Sequence, residues 1–200
     1  MMPPYYVAPA SRTLDFSGKK KATLSSQNVN RYIEAFLKTD ATHMWMLDAD
    51  CEVPPHALRE LLKLDVDVAS GVTFGHTALT MTSTALWRPK PRPKAPKSKP
   101  YYRFLTPDQV FGRIIQTPSR VATGAFCVLV RRRVFERIHP KVKPIRFRWI
   151  EPQEYGIDIQ FWTDAQDFGF TAAVNGEIVC GHLPEHPLEL LENTVWCKNG

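Results

Sequence analysis

His43-Met44-Trp45-Met46-Leu47-Asp48-Ala49-Asp50-Cys51-Glu52-Val53-Pro54-Pro55 is the stretch whose reading decides the fold. A short apolar run ends abruptly in two aspartates one residue apart, and a proline pair then opens the next element. If the backbone stays extended through Asp48 and Asp50, side chains two apart fall on the same side of it. Two hard oxygen ligands at a strand's C-terminal end suit a Mg2+ or Mn2+ that keeps positions open for phosphate oxygens. Open α/β sheets bind ligands at that edge. An isolated Asp-x-Asp is more often a polar turn with a helix-capping acid, so its surroundings decide.

Working outward, Pro54 and Pro55 fit the first turn of a helix, where a missing amide hydrogen does little harm. Leu58, Leu61 and Leu62 give that helix an apolar stripe, and Val66 to Phe74 returns as a strand. Upstream, Ser25 and Ser26 are candidate caps for a helix to about Lys38, with Val29, Tyr32, Ile33, Phe36 and Leu37 at helical spacing. Tyr5 to Ala8 reads as a first strand. Strand–helix–strand with short joints is the unit of a parallel sheet. The expected fold is therefore α/β: a Rossmann-like mixed, mostly parallel sheet flanked by helices, in a single domain over residues 1–200.

Downstream, Leu79 to Trp87 reads as extended. Proline and lysine then alternate from Arg88 to Pro100, with nothing able to build a core. Val121 to Val130 holds a small-residue turn, Thr123-Gly124-Ala125, and a buried strand from Phe126. Arg131 to Ile138 reads as helical. An amphipathic helix follows over about Ile157 to Phe168, stopped by Gly169. Thr171 to Val174 and Ile178 to Cys180 finish as short strands.

The net charge is +6 over 200 residues. Arg88, Lys90, Arg92, Lys94, Lys97, Lys99 and Arg103 more than account for it, with no acid among them, so the basicity is local and the segment at about 88–103 is expected to be a mobile loop. No apolar run approaches the roughly 20 residues of a membrane span, and Met1 to Tyr6 lacks the regions of a signal peptide. Cys51, Cys127, Cys180 and Cys197 are scattered, with no Cys-x-x-Cys. A cytoplasmic protein with reduced thiols is expected.

Read in order, three blocks resemble the inverting family 2 glycosyltransferases and relatives with the glycosyltransferase A fold. They are Leu47-Asp48-Ala49-Asp50 with its Pro-Pro-x-Ala-Leu sequel, Thr123 to Phe135, and Tyr155-Gly156-Ile157-Asp158-Ile159-Gln160-Phe161 followed by Gly169-Phe170. Together they span about Ser25 to His182. Two departures stand out. Only 47 residues precede Asp48, so the base pocket is expected to be abbreviated, built differently or completed by another subunit. Ile157 stands where the family's third block carries glutamate.

The resemblance implies a divalent metal, Mn2+ or Mg2+, bridging the phosphates of a nucleotide-diphosphate sugar, most commonly UDP-linked. Asp50 would contact the metal, Asp48 the ribose or metal-bound water, and His182 the metal. Asp158 would be the general base that takes the acceptor proton. Asp158 also has an argument from the residues themselves: it precedes Phe161, Trp162, Ala165 and Phe168 on the apolar side of its helix, where an uncompensated acid is costly. Gly124 and Ala125 would let a sugar approach the backbone closely, and Asn28 and Arg31 sit where relatives carry donor-contacting polar residues. Lys90, Lys94, Lys97 and Lys99 are candidate polyanion contacts. The leading expectation is a metal-dependent glycosyltransferase. Its rivals are a nucleotidyltransferase, for which no glycine-rich triphosphate loop is visible, and a non-catalytic nucleic-acid-binding module using the Lys/Pro arm. The acceptor, nucleic acid included, stays open.

Overall fold

The computed structural model describes residues 5–7, 28–48, 50–75, 78–88, 101–137, 145–147 and 156–182. In chain order, β1 (Tyr5–Val7), α1 (28–36), β2 (His43–Leu47), β3 (Cys51–Glu52), α2 (Ala57–Lys63), β4 (Val68–Val72) and β5 (Phe74–Gly75) form the first half. Strands β6 (Ala78–Thr82), β7 (Ala85–Arg88) and β8 (Tyr101–Phe104), helix α3 (Pro107–Val110), and strands β9 (Ile114–Gln116) and β10 (Val121–Ala122) follow. Then come β11 (Cys127–Arg131), α4 (Arg132–Glu136), α5 (Ile157–Asp167), β12 (Ala172–Val179) and β13 (Gly181–His182).

The central sheet has six strands in the order β1-β2-β11-β4-β12-β9. Strands β1 and β2 pair in parallel, as do β4 and β12. Strand β11 enters against the grain between β2 and β4, and β9 runs antiparallel along β12. The fold is thus mixed α/β, but the expected mostly parallel sheet needs correcting. Four strands share one direction, yet three of the five pairings are antiparallel because β11 separates β2 from β4.

Period-two alternation sends side chains to two cores. Met44, Met46, Val68, Val72, Val128 and Val130 face one of them with Ile33 and Phe36 of α1, Phe135 of α4 and Phe161 and Trp162 of α5. Ala69, Cys127 and Leu129 face the other, under Ala57, Leu58 and Leu61 of α2. Coverage on both faces explains why β4 and β11 read as near-continuous apolar runs. In the first core Phe161 stacks on Phe147 with centroids 4.4 Å apart.

Element ends follow local chemistry with small corrections. Pro54 and Pro55 lie in the turn ahead of α2, which begins at Ala57 after the Ala57 amide bonds the Pro54 carbonyl. Gly169, at φ +85°, ends α5 as expected; the Gly169 and Phe170 amides donate to the Gln166 and Ala165 carbonyls, satisfying the last turn. The two short terminal strands predicted after it are one strand, β12, with a register shift between Val174 and Val179. Gly176 sits in that irregularity: a Cβ there would strike the Val110 carbonyl and lie 2.9 Å from the Arg113 oxygen. Only a residue without a side chain lets the α3–β9 turn rest on β12. No helix among the described residues is long and apolar enough to cross a membrane.

Candidate functional site

Strands β2, β4 and β12 end at one edge of the central sheet, and β11 begins there. Asp48 leaves β2 with its amide bonded to the Phe126 carbonyl at 3.0 Å, and its own carbonyl accepts the Cys51 amide at 3.2 Å. That closes a turn carrying Asp50. Both aspartates are exposed. Strand β13 comes back antiparallel to β3 with His182 registered opposite Cys51, so the His182 backbone lies beside the residue that follows Asp50.

The second and third blocks meet at Asp158. This residue is half-buried in the first turn of α5, and its Oδ1 accepts the Ile159 amide at 3.0 Å. Its carboxyl folds back over Gly156, where an added Cβ would collide with it. A Cβ built on Gly124 would lie 3.5 Å from Asp158 Oδ2, and the Ala125 amide bonds the carboxyl from the other side. Burial pushes the Asp158 carboxyl above the usual carboxylate range, and the amides of Ile159, Asp158 and Ala125 offset only part of that cost. A base whose proton affinity is raised, held by backbone amides next to a small-residue turn, is chemically suited to accepting a proton.

Two supports escaped the sequence. Gln166 of α5 grips Val121 of β10 on both sides: its Nε2 donates to the Val121 carbonyl at 2.7 Å and its Oε1 accepts the Val121 amide at 3.1 Å. This fixes the Thr123-Gly124-Ala125 turn against the helix that carries Asp158. Ser83, at the β6–β7 corner, lies between the end of β4 and that turn, with its amide on the Thr73 carbonyl at 2.9 Å and its hydroxyl 3.0 Å from the Thr123 hydroxyl. A glutamine on a helix face and a serine in a threonine-rich stretch carry no sequence signal of such roles.

Three of the scattered cysteines also converge under this edge. Cys127 and Cys180 are buried, Cys51 is half-buried, and all three thiols are free. Gly71 makes room: a Cβ there would lie 3.2 Å from Cys180 Sγ. Contact with the Cys127 and Cys51 thiols, with burial added, pushes Cys180 up, so it stays a thiol.

Other expected residues are not gathered here. Asn28 is half-buried and Arg31 exposed on α1. Arg31 instead lines a concave surface of about 660 Å3 with Asn30, Glu34 and Lys38. Lys90, Lys94, Lys97 and Lys99 lie outside the described residues, as does most of the expected mobile loop. The arginines of the second block serve the opposite edge. Arg131 pairs with Asp65, Arg133 with Asp67, and Arg132 donates to the carbonyls of Leu37, Thr39 and Ala41 at the end of α1.

Among the described residues, no group of three or more His, Cys, Asp or Glu side chains is arranged to hold a metal ion. Two exposed carboxylates beside an open edge nevertheless match the donor set of Mg2+ or Mn2+. Such ions are commonly held by one or two carboxylates, waters and substrate phosphates rather than by an all-protein cage.

No family model and no curated protein matches the chain. Among solved structures it is similar to A197 from STIV, known from a crystal structure, with 14% identity and a TM-score of 0.49 over 90% of this chain and 84% of that one. A likeness that loose transfers neither fold nor activity.

Proposed function

We propose that the protein is a metal-dependent glycosyltransferase of the family 2-like, glycosyltransferase A type. It would move a sugar from a nucleotide-diphosphate donor, UDP-linked by preference, to an acceptor hydroxyl with inversion. The observation that carries this reading is the meeting of the three blocks. Phe126 holds Asp48 through its carbonyl, and the neighbouring Gly124–Ala125 backbone packs against the Asp158 carboxyl.

In this reading Asp48 and Asp50 would hold the divalent metal with the donor diphosphate, and His182 would join them; the pairing of β13 with β3, which sets the His182 backbone opposite Cys51, supports this. When bound, the metal supplies charge neutralisation for the leaving diphosphate. Asp158 accepts the proton of the acceptor hydroxyl as that oxygen attacks the anomeric carbon. The small-residue Gly124–Ala125 backbone, next to the Asp158 carboxyl, gives the sugar its approach.

The test is calorimetric titration with UDP, GDP, CDP and TDP, with Mn2+ and with excess chelator. At least one nucleotide should bind ten-fold or more tightly with metal, an effect of about 1.4 kcal/mol. Asp50→Asn should erase that difference without lowering the melting temperature. Equal binding in chelator, or unchanged metal dependence in the variant, would overturn the reading.

A further inference from the structure

Strands β11, β4 and β12 lie side by side in the central sheet, and Gly71 belongs to the middle one. Continuing the β11–β4 register one step past Val128 and Ser70 sets Cys127 opposite Gly71. On the other flank Cys180, the residue after β12, donates its amide to the Val72 carbonyl at 2.7 Å. With no side chain at Gly71, the Cys180 sulfur settles over the middle strand, 3.2 Å from where a Cβ would stand. There it touches the thiols of both Cys127 and Cys51.

The two contacts are not equivalent. Cys127 and Cys180 stand on strands two apart, a separation of roughly 9.5 Å, beyond the roughly 6.8 Å between Cα atoms that a disulfide spans. Cys51 comes from β3, which pairs antiparallel with β13: Cys51 is opposite His182 and Glu52 opposite Gly181. Cys180 is therefore the diagonal neighbour of Cys51 on the same face. Cys51 is also the thiol that solvent reaches, half-buried where Cys127 and Cys180 are buried. Their anchoring differs as well. Cys180 is held by its amide on Val72 and by its thiol, which donates to the Ile178 carbonyl at 4.0 Å. Cys51 sits in a two-residue strand behind the turn that its own amide closes on the Asp48 carbonyl, the turn that carries Asp50.

We propose that Cys51 and Cys180 form a reversible dithiol–disulfide site, oxidised by a hydroperoxide, whose closure displaces the Asp50 turn. The Cys51 sulfur attacks the outer peroxide oxygen, the O–O bond breaks, and an alcohol (water, for hydrogen peroxide) leaves with the thiol proton. Cys51 is then a sulfenic acid, which condenses with a neighbouring thiol. The Cys180 sulfur attacks it, the S–S bond forms, and the hydroxyl leaves as water with the Cys180 proton. Two thiols lose two electrons and the peroxide gains them. A disulfide holds its sulfurs about 2.05 Å apart, far closer than two thiols in non-bonded contact, so one chain must come in. Cys180 is fixed to the sheet, and the short β3 moves instead, taking the adjacent Asp50 with it. Bridge formation is independent of glycosyl transfer; its effect on metal and nucleotide rests on that reading.

The experiment treats the reduced full chain with hydrogen peroxide, alkylates the remaining thiols and maps the bridged peptides by mass spectrometry. The peptide holding Cys51 should be joined to the one holding Cys180. Amide hydrogen exchange over Asp50 to Glu52 should rise severalfold in the bridged protein, because the Cys51 amide leaves the Asp48 carbonyl. Metal-dependent nucleotide binding should weaken at least about tenfold, the usual cost of disturbing the support of a metal ligand. A dithiol reductant should reverse all three changes, which separates them from methionine oxidation, since dithiols do not restore the sulfoxide. Cys51→Ser should abolish every response to peroxide while keeping the reduced protein's melting temperature and nucleotide binding; Cys180→Ala should abolish the bridge as well. No bridge, a bridge from Cys51 to another cysteine, unchanged exchange or nucleotide binding in the bridged protein, or a peroxide response that survives in Cys51→Ser would each overturn the proposal. If the reduced protein binds no nucleotide through metal, the glycosyltransferase reading falls, and peptide mapping and exchange still decide this one.

Discussion

Asp67 and Asp158 are both withdrawn from water, at opposite edges of the same sheet, and their surroundings push them in opposite directions. Asp67 opens β4 at the edge away from the aspartate pair. Burial opposes its charge, but the Arg133 guanidinium, the Thr171 amide at 3.0 Å and the Thr171 hydroxyl at 3.0 Å outweigh that cost and hold its carboxyl below the usual range. Asp158 has backbone amides and no cation among the causes that shift it, so burial wins and its carboxyl is pushed up. The fold spends a full set of partners on one carboxylate and leaves the other under-compensated. A carboxylate with a full set of partners stabilises the fold, and an under-compensated one is the kind that catalytic sites commonly use.

The sharpest break of this contrast is Asp158→Asn. A positioned base contributes about 10²–10⁴-fold, so sugar transfer should fall by that much while metal-dependent nucleotide binding persists. A raised carboxyl favours the fold below the ordinary carboxylate range, and that contribution is lost as pH rises through its folded-state value. Asn removes the loss. The variant should therefore melt higher than the wild type at neutral pH, with the gap shrinking as pH falls. Near wild-type transfer would remove Asp158 from the mechanism, and a lower melting temperature at neutral pH would show that its charge is compensated after all.

Asp67→Asn should do the reverse. Losing charge-assisted hydrogen bonds typically costs about 1.5–3 kcal/mol, to be read from denaturant unfolding at neutral pH. The sign follows from the lowered carboxyl: its stabilisation is present above the ordinary carboxylate range and lost as pH falls through the folded-state value. Wild type and variant should converge in acid. A pH-independent difference would assign the effect to packing instead.

Gly156→Ala is the gentlest probe. Its backbone, at φ −59° and ψ 158°, accommodates alanine, and the new methyl group can only displace the Asp158 carboxyl. Transfer should drop about tenfold, since small misplacements of a reacting group are costly, with thermal stability nearly unchanged. An unaltered rate would mean that the carboxyl does not act from the position it occupies.

Much of this was legible in the chain, and for identifiable reasons. The apolar run before Asp48, the leucine stripe after Pro55 and the Gly169 stop are local signals: alternation, helical spacing and a left-handed glycine each depend on a few neighbouring residues. The same locality misread β12 as two strands, because its irregularity exists to receive Val110 and Arg113, more than 60 residues earlier. It also made the sheet look mostly parallel, since nothing within Cys127–Arg131 announces that it will slide between β2 and β4.

By itself the sequence determined which residues could carry chemistry: carboxylates at the end of an apolar run, an acid on the apolar side of a helix, cations gathered in one stretch. Only the tertiary structure decided what each experiences. Whether a carboxylate meets a guanidinium, as Asp67 does, or only amides, as Asp158 does, depends on elements distant in sequence. The same is true of Arg131 and Arg133, tied at one edge to Asp65 and Asp67. Solvation and Coulombic balance are set by what packs within a few ångströms, and in a sheet threaded out of order those neighbours are chosen by strand pairing rather than by sequence position.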